Sequence, residues 1–495
     1  MKKTLSLLGF VGAALLVACG SDGVVGPAGE KGTDGTKGDN GTPGTPGTTP
    51  KVEPSLDFAT PNKGVLDRTI EVTLSASGTK FAGSPKVDFG AGITVSEVKA
   101  LSATAISAKL VIAPTAALGV RDVTIDGQKL EKAFAVIPAI SSKLVGTAQQ
   151  GGVANVAIQN NDTANPFDKD KLSLIAPDLV NISVAAESNV FAGGAFVVPP
   201  LASGSPAFSV ANVDAEGKPR TSFLGDPNDV KVTARAPVAL TANAAPAVLA
   251  LGTQLASYYA KGSVPAATTM IVDYRVQVAA NATTSPLGFL FAKGGTAKDI
   301  LGVMAPPQGF LGPNPPPYDL HLVVPFASQA AAEDEYLVLF DSSGKGGAAT
   351  FGTTFVKAEL VAEGATAHAT GPTAQDLAVL QAIPTNLATD IGGKVVTGNL
   401  TTATEVDVYK VTVAANDRLQ IGVSGEGEYD VIVTADGSSD PEAAANLGYL
   451  YSASKGQLGS DAVAVGALTT VYIAVKPYQA RNGKYSISVR KLAAN

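Results

Sequence analysis

An all-β fold, built as tandem β-sandwich domains, is what this 495-residue sequence predicts. Two observations carry the prediction. Val, Ile, Thr, Ala and Gly dominate the composition, 31 prolines interrupt it, and few long helical periods occur. Short segments alternate apolar and polar residues with period two, as in Thr69-Ile70-Glu71-Val72-Thr73-Leu74.

The N-terminus obeys other rules. Lys2 and Lys3 precede an apolar run from Leu5 to Val17, which ends in Leu16-Val17-Ala18-Cys19. The run is short of the roughly 20 apolar residues a stable span needs. Cys19 is the single cysteine, so no intrachain disulfide can form. The pattern resembles the signal peptide and lipobox of bacterial lipoproteins. That resemblance implies removal of residues 1–18 and acylation of Cys19. Two or more acyl chains anchor a protein stably where one does not. Gly20 replaces the Asp that retains enteric lipoproteins in the inner membrane, which implies an outer-membrane or cell-surface address. Losing Lys2 and Lys3 takes the net charge from −7 to −9, and an acidic chain argues against nucleic acid as a partner.

Residues 19–50 carry glycine at every third position from Gly23 to Gly47. This resembles a collagen-like segment, whose triple helix admits only glycine at its axis. Only Pro27, Pro43 and Pro46 stiffen it. The nine triplets are read as an extended spacer reaching about 80 Å at about 3.1 Å per residue, with a local trimer as the alternative. A mainly monomeric chain follows from the first reading.

About 445 residues remain, a prior for three to four domains. Residues 51–138 show strands at 69–74, 86–89, 106–112 and 120–125. Pro61-Asn62-Lys63-Gly64, Gly78-Thr79-Lys80-Phe81 and Val87-Asp88-Phe89-Gly90 resemble the IPT/TIG family, as does Ala117 to Thr124. This implies a small immunoglobulin-like sandwich that serves as spacer or binding module. Residues 139–237 are strand-like, for example Val153 to Ile158, and default to a further, immunoglobulin-like sandwich of no recognised family.

The remaining sequence contains a repeat. Asp273-Tyr274-Arg275-Val276-Gln277-Val278-Ala279-Ala280-Asn281 matches Val408-Tyr409-Lys410-Val411-Thr412-Val413-Ala414-Ala415-Asn416. Upstream, Lys261-Gly262-Ser263-Val264 matches Thr397-Gly398-Asn399-Leu400, and Tyr318-Asp319 is paired by pattern with Tyr429-Asp430. Two homologous sandwiches are expected, a first copy over 238–361 and a second over 374–495, joined by an Ala/Thr/Gly linker. Asp407 to Val411, Asp417-Arg418-Leu419, Val471 to Val475 and Gly483-Lys484-Tyr485 resemble the bacterial pre-peptidase C-terminal (PPC) domain. The first copy lacks the closing Gly-x-Tyr.

Chemistry is sparse. His321 falls in a strand pattern and His368 in the linker, and both read as core or surface histidines. No Gly-x-Ser-x-Gly elbow and no glycine-rich phosphate loop ending in Lys-Ser or Lys-Thr occurs. Two distant histidines exclude the common zinc hydrolases. The chain is therefore read as non-enzymatic, with no cofactor. Calcium is the one ion with candidates: Asp162, Asp168 and Asp170 in one acidic loop, and Glu426, Glu428 and Asp430 in another. The competing reading makes them solvated loop residues. The expected role is a lipid-anchored envelope protein presenting modules to a protein or extracellular-matrix ligand. An accessory subunit of an envelope complex is the second reading, and a secreted hydrolase the third.

Overall fold

The computed structural model describes residues 53–492, except 227–228, 254–255, 307, 310–311, 314–315, 329, 365–367, 380–390, 426, 428, 441, 443–444, 452–456, 459–462 and 479–481. Regular structure among them is strand, apart from one 3-10 turn at Gly371–Thr373. Among the described residues, no helix is long and apolar enough to cross a membrane. The tandem β-sandwich architecture is thus observed. The chain divides into two compact units, one ending at Pro138 and one running from Ala139.

The N-terminal unit pairs two four-stranded sheets. One has the order Ser55–Thr60, Thr69–Ser77, Ala105–Ile112, Ile93–Ser102; the other Lys63–Val65, Gln128–Ile137, Gly119–Ile125, Val87–Asp88. The period-two pattern of 69–77 buries Val72, Leu74 and Ala76, with Ile70 half-buried on the same face, and puts Thr69, Glu71, Thr73, Ser75 and Ser77 on the other. Phe89 and Phe134 meet edge to face at 5.0 Å between the sheets. A Cβ at Gly64 would overlap Ile112 and Phe134, so this glycine lets a strand lie directly on the core.

The second unit begins with two sheets of its own. Val180–Ala186, Phe191–Val197, Val153–Asn160 and Ile140–Val145 form one; Leu172–Ile175, Ser209–Val213 and Pro219–Leu224 form the other. Phe167 and Phe223 pack edge to face at 5.1 Å. Part of the larger sheet is covered by the first copy. Val153, Val180, Ile182 and Val197 pack against Tyr259, Leu287, Phe291 and Val338 of the first copy. Arg235 seals the seam, donating to Ser257 Oγ at 2.8 Å and to Ser257 O at 2.7 Å.

The two repeat copies share a sheet of eight strands. Its order is Tyr318–Phe326, Met270–Val278, Gly347–Ala362, Ile391–Leu400, Gly483–Leu492, Arg418–Gly425, Val463–Ala464, with Ala247–Leu251 paired to 347–362. The 16-residue strand 347–362 makes this continuity. Its first part pairs antiparallel with 270–278 and its last part runs parallel to 391–400. The sheet folds over itself, so strand 318–326 lies on strand 418–425. Ser424 Oγ donates to Pro325 O at 3.1 Å, and a Cβ at Gly422 would overlap the Val323 carbonyl. Ile271, Val323 and Val395 fill this fold.

Each copy completes its core with a second sheet. In the first copy the strands are Val238–Ala239, Ser257–Val264, Glu333–Asp341, Pro286–Phe291 and Ile300–Met304, with Gln457–Leu458 added at the edge. In the second they are Gln375–Val379, Asp407–Thr412, Thr470–Pro477, Tyr429–Thr434 and Asn446–Tyr451. Pairing corrects one sequence correspondence. Strand 318–326 pairs directly with 270–278, whereas 429–434 pairs with 470–477, which in turn pairs with 407–412. Tyr318-Asp319 and Tyr429-Asp430 therefore hold different places. Each aligned dipeptide merely opens a buried strand.

Candidate functional site

Two clusters gather the chain's only histidines with carboxylates. The first lies where the shared strand ends. Glu363 N–H donates to Thr397 O at 2.9 Å, and Val408 N–H donates to His368 O at 2.8 Å. These backbone bonds set His368 beside the start of strand 407–412. His368 and Asp407 are both buried and Glu363 is half-buried. His368 Nε2 lies 3.6 Å from Asp407 Oδ1 and 4.0 Å from Glu363 Oε1. Among the described residues, these three form the one group of metal-ligating side chains whose ligand atoms converge within 4.8 Å.

The surroundings orient each carboxylate. Asp407 Oδ2 accepts from Tyr485 Oη at 2.8 Å. Glu363 Oε2 accepts from Asn399 N–H at 2.9 Å. Tyr409 and Tyr485 share a short hydroxyl–hydroxyl hydrogen bond, and the Tyr409 ring sits 5.3 Å from the His368 ring. Burial pushes the Asp407 carboxyl up to about 6; the charges of Glu363 and Glu405 add to that rise while Tyr485 and His368 oppose it. Burial also drives both tyrosine hydroxyls well above their ordinary range. The group gathers two carboxylates and an imidazole, each carboxylate held by an outer hydrogen bond.

The second cluster lies between the copies. His321 Nδ1 is 3.0 Å from both oxygens of Asp273, and Nε2 is 3.4 Å from Asp319. Arg275 clamps Asp319 through two hydrogen bonds of 2.7 and 2.6 Å. From the second copy, Gln420 Nε2 donates to Asp273 Oδ2 at 3.3 Å. Burial disfavours the imidazolium, but the hydrogen bond and charge of Asp273, helped by Asp319, overcome this and leave His321 raised. The carboxylate oxygens of Asp273 and Asp319 already face donors from Arg275, His321 or Gln420, so the cluster works as a seam.

The sequence-predicted residues sit elsewhere. Asp162 is buried and its Oδ2 accepts from Asn165 Nδ2 at 2.9 Å. Asp168 Oδ1 accepts from Asp170 N–H at 3.1 Å, which closes an Asx turn. These three do not converge as a ligand group. Asp430 is buried on strand 429–434. Glu426, Glu428 and Cys19 lie outside the described residues. The Glu363–His368–Asp407 group escaped sequence reasoning because no motif links positions 363, 368 and 407. The one available signal was a lone histidine in an otherwise Ala/Thr/Gly segment.

No protein-family model matches this sequence, and no curated protein matches it. Among solved structures, the chain is similar to Aeromonas hydrophila PliG, a periplasmic lysozyme inhibitor of g-type lysozyme. The identity is 17%, over 24% of this chain and 99% of that one, with a TM-score of 0.18. It is similar to the Yersinia pseudotuberculosis adhesin InvE at 16% identity, over 40% and 68% of the two chains, with a TM-score of 0.15. The Escherichia coli adhesin FdeC matches at 14% identity, over 58% and 88%, with a TM-score of 0.16. At these scores the likenesses assign no role to any residue.

Proposed function

We propose that this chain is a non-enzymatic, lipid-anchored envelope protein that presents β-sandwich modules for binding at the cell surface. The observation that carries the reading is Cys19, the single cysteine, placed at the end of a short apolar run and before a Gly-X-Y spacer. The anchor holds the chain at a membrane, the spacer lifts it off, and the all-β body supplies the surface. The resemblances of 51–138 to IPT/TIG domains and of 374–495 to PPC domains fit a binding or spacing role.

Two measurements test this. Metabolic labelling with a fatty acid should mark the wild type and leave Cys19→Ser unlabelled; equal labelling overturns the anchor. Protease treatment of intact cells should release the body. A body that survives on intact cells and is cut only after lysis would overturn surface presentation in favour of an internal accessory subunit.

A further inference from the structure

We propose that Glu363, His368 and Asp407 bind a zinc-type divalent transition-metal ion, using one oxygen of each carboxylate and Nε2 of the imidazole.

The distances fit an ion. Ligand atoms about 2.0–2.2 Å from a tetrahedral centre stand about 3.3–3.6 Å from one another. The separations of 3.6 and 4.0 Å from Nε2, with all three ligand atoms within 4.8 Å of one another, would close by a few tenths of an ångström to about 1 Å around an ion.

The division of labour within each carboxylate is a second, independent observation. Asp407 gives Oδ2 to Tyr485 and turns Oδ1 toward His368; Glu363 gives Oε2 to Asn399 and turns Oε1 the same way. Metal ligands are oriented in this manner by outer hydrogen bonds, which fix the atom that does not coordinate. Tyr409 extends the chain by bonding Tyr485.

Charge and donor chemistry select the ion. Two buried or half-buried carboxylates, with the field of Glu405 added, ask for a cation. Imidazole beside carboxylate suits zinc, manganese or iron, whereas calcium prefers oxygen throughout. Three protein ligands leave a fourth position on the half-buried Glu363 side. Binding would staple the segment after the shared strand to strand 407–412, so metal and fold would be coupled.

The test uses the untagged full-length chain in detergent, stripped with a chelator and titrated with zinc chloride alone. Calorimetry should show one equivalent per chain, and the melting temperature should rise with zinc. Cobalt(II) in its place should give the visible absorption of a low-coordinate N/O site. His368→Ala and Glu363→Gln should each lose that equivalent and the thermal shift, while His321→Ala keeps both. Glu363→Gln guards against misfolding, since Glu363 lies at the half-buried mouth. No equivalent bound by a folded wild type at millimolar zinc overturns the proposal. So does an equivalent that survives in folded Glu363→Gln and His368→Ala proteins.

Discussion

Glu335 in the first copy holds the position that Tyr485 holds in the second. Glu335 is paired across the ladder with Gly262, and Tyr485 with Gly398, and these glycines are aligned by the repeat. Both large side chains lie over the glycine, where a Cβ would collide with them. Both face the conserved repeat tyrosine, Tyr274 in one copy and Tyr409 in the other. The outcomes differ. Tyr485 closes a hydroxyl bond to Tyr409, whereas the Tyr274 hydroxyl meets the Glu335 carboxyl. The first copy thus buries a carboxyl completely, and burial pushes it up to about 8.

That carboxyl makes stability fall with pH. The folded state keeps its proton while the unfolded chain releases it above the ordinary value of 4.5. Between there and about 8, each pH unit favours unfolding by about 1.4 kcal/mol from this group. Glu335→Gln should flatten the stability curve over this window and gain on the wild type as pH rises. Chemical denaturation at pH 5, 6, 7 and 8 would read it; parallel curves would refute the assignment.

His321 titrates with the same sign for a different reason. Its folded value lies above the unfolded one because Asp273 and Asp319 outweigh burial. The imidazolium contribution is therefore complete below about 6.5 and lost as pH rises through the higher folded value. The groups facing it are Asp273, Asp319, Arg275, Gln420 and, through charge on Asp273, Arg490. His321→Gln should cost most below pH 6.5 and progressively less above it. A cost independent of pH would count against the charged ring.

Gly422→Ala should destabilise the unit by about 1–3 kcal/mol, because the new methyl enters the Val323 carbonyl. Strands 318–326 and 418–425 belong to different copies, so the same substitution reports on their union. The melting of residues 139–495 should remain one transition in the wild type. A loss confined to the second copy, with the first copy unfolding as before, would show that the fold-over carries no coupling.

Tyr485→Phe removes the donor to Asp407 and the partner of Tyr409 at a buried site. Two polar groups lose a bond, and the expected cost is about 1–3 kcal/mol. Measuring it in chelator keeps metal binding out of the comparison. A neutral result would mean that water replaces the hydroxyl.

Strands were legible because period-two patterns act locally. Thr69 to Ser77 buries every second residue from Val72, as its alternation dictates. Gly262 and Gly398, matched in the sequence, each stand across a ladder from a large side chain, Glu335 and Tyr485. Strand 347–362 was not legible. Its Gly-Ala-Ala-Thr and Ala-Glu-Leu-Val-Ala ends read as an ordinary strand with a linker behind, and nothing local says that its two halves serve different partners. The His368 group was hidden likewise. Its three members converge only because Glu363 bonds Thr397 and Val408 bonds His368, contacts made between segments far apart in sequence.

The shared strand also sets what can be cut from this protein. Strand 391–400 is covered on one side by 483–492 and on the other by 357–362 of the preceding copy. A fragment beginning after residue 362 would open that second side as a bare row of amides and carbonyls, flanked by the apolar run Val395-Val396. Such an edge recruits whatever strand is nearest, including its own twin in another molecule. The strand between the two modules removes the freedom to use either one alone.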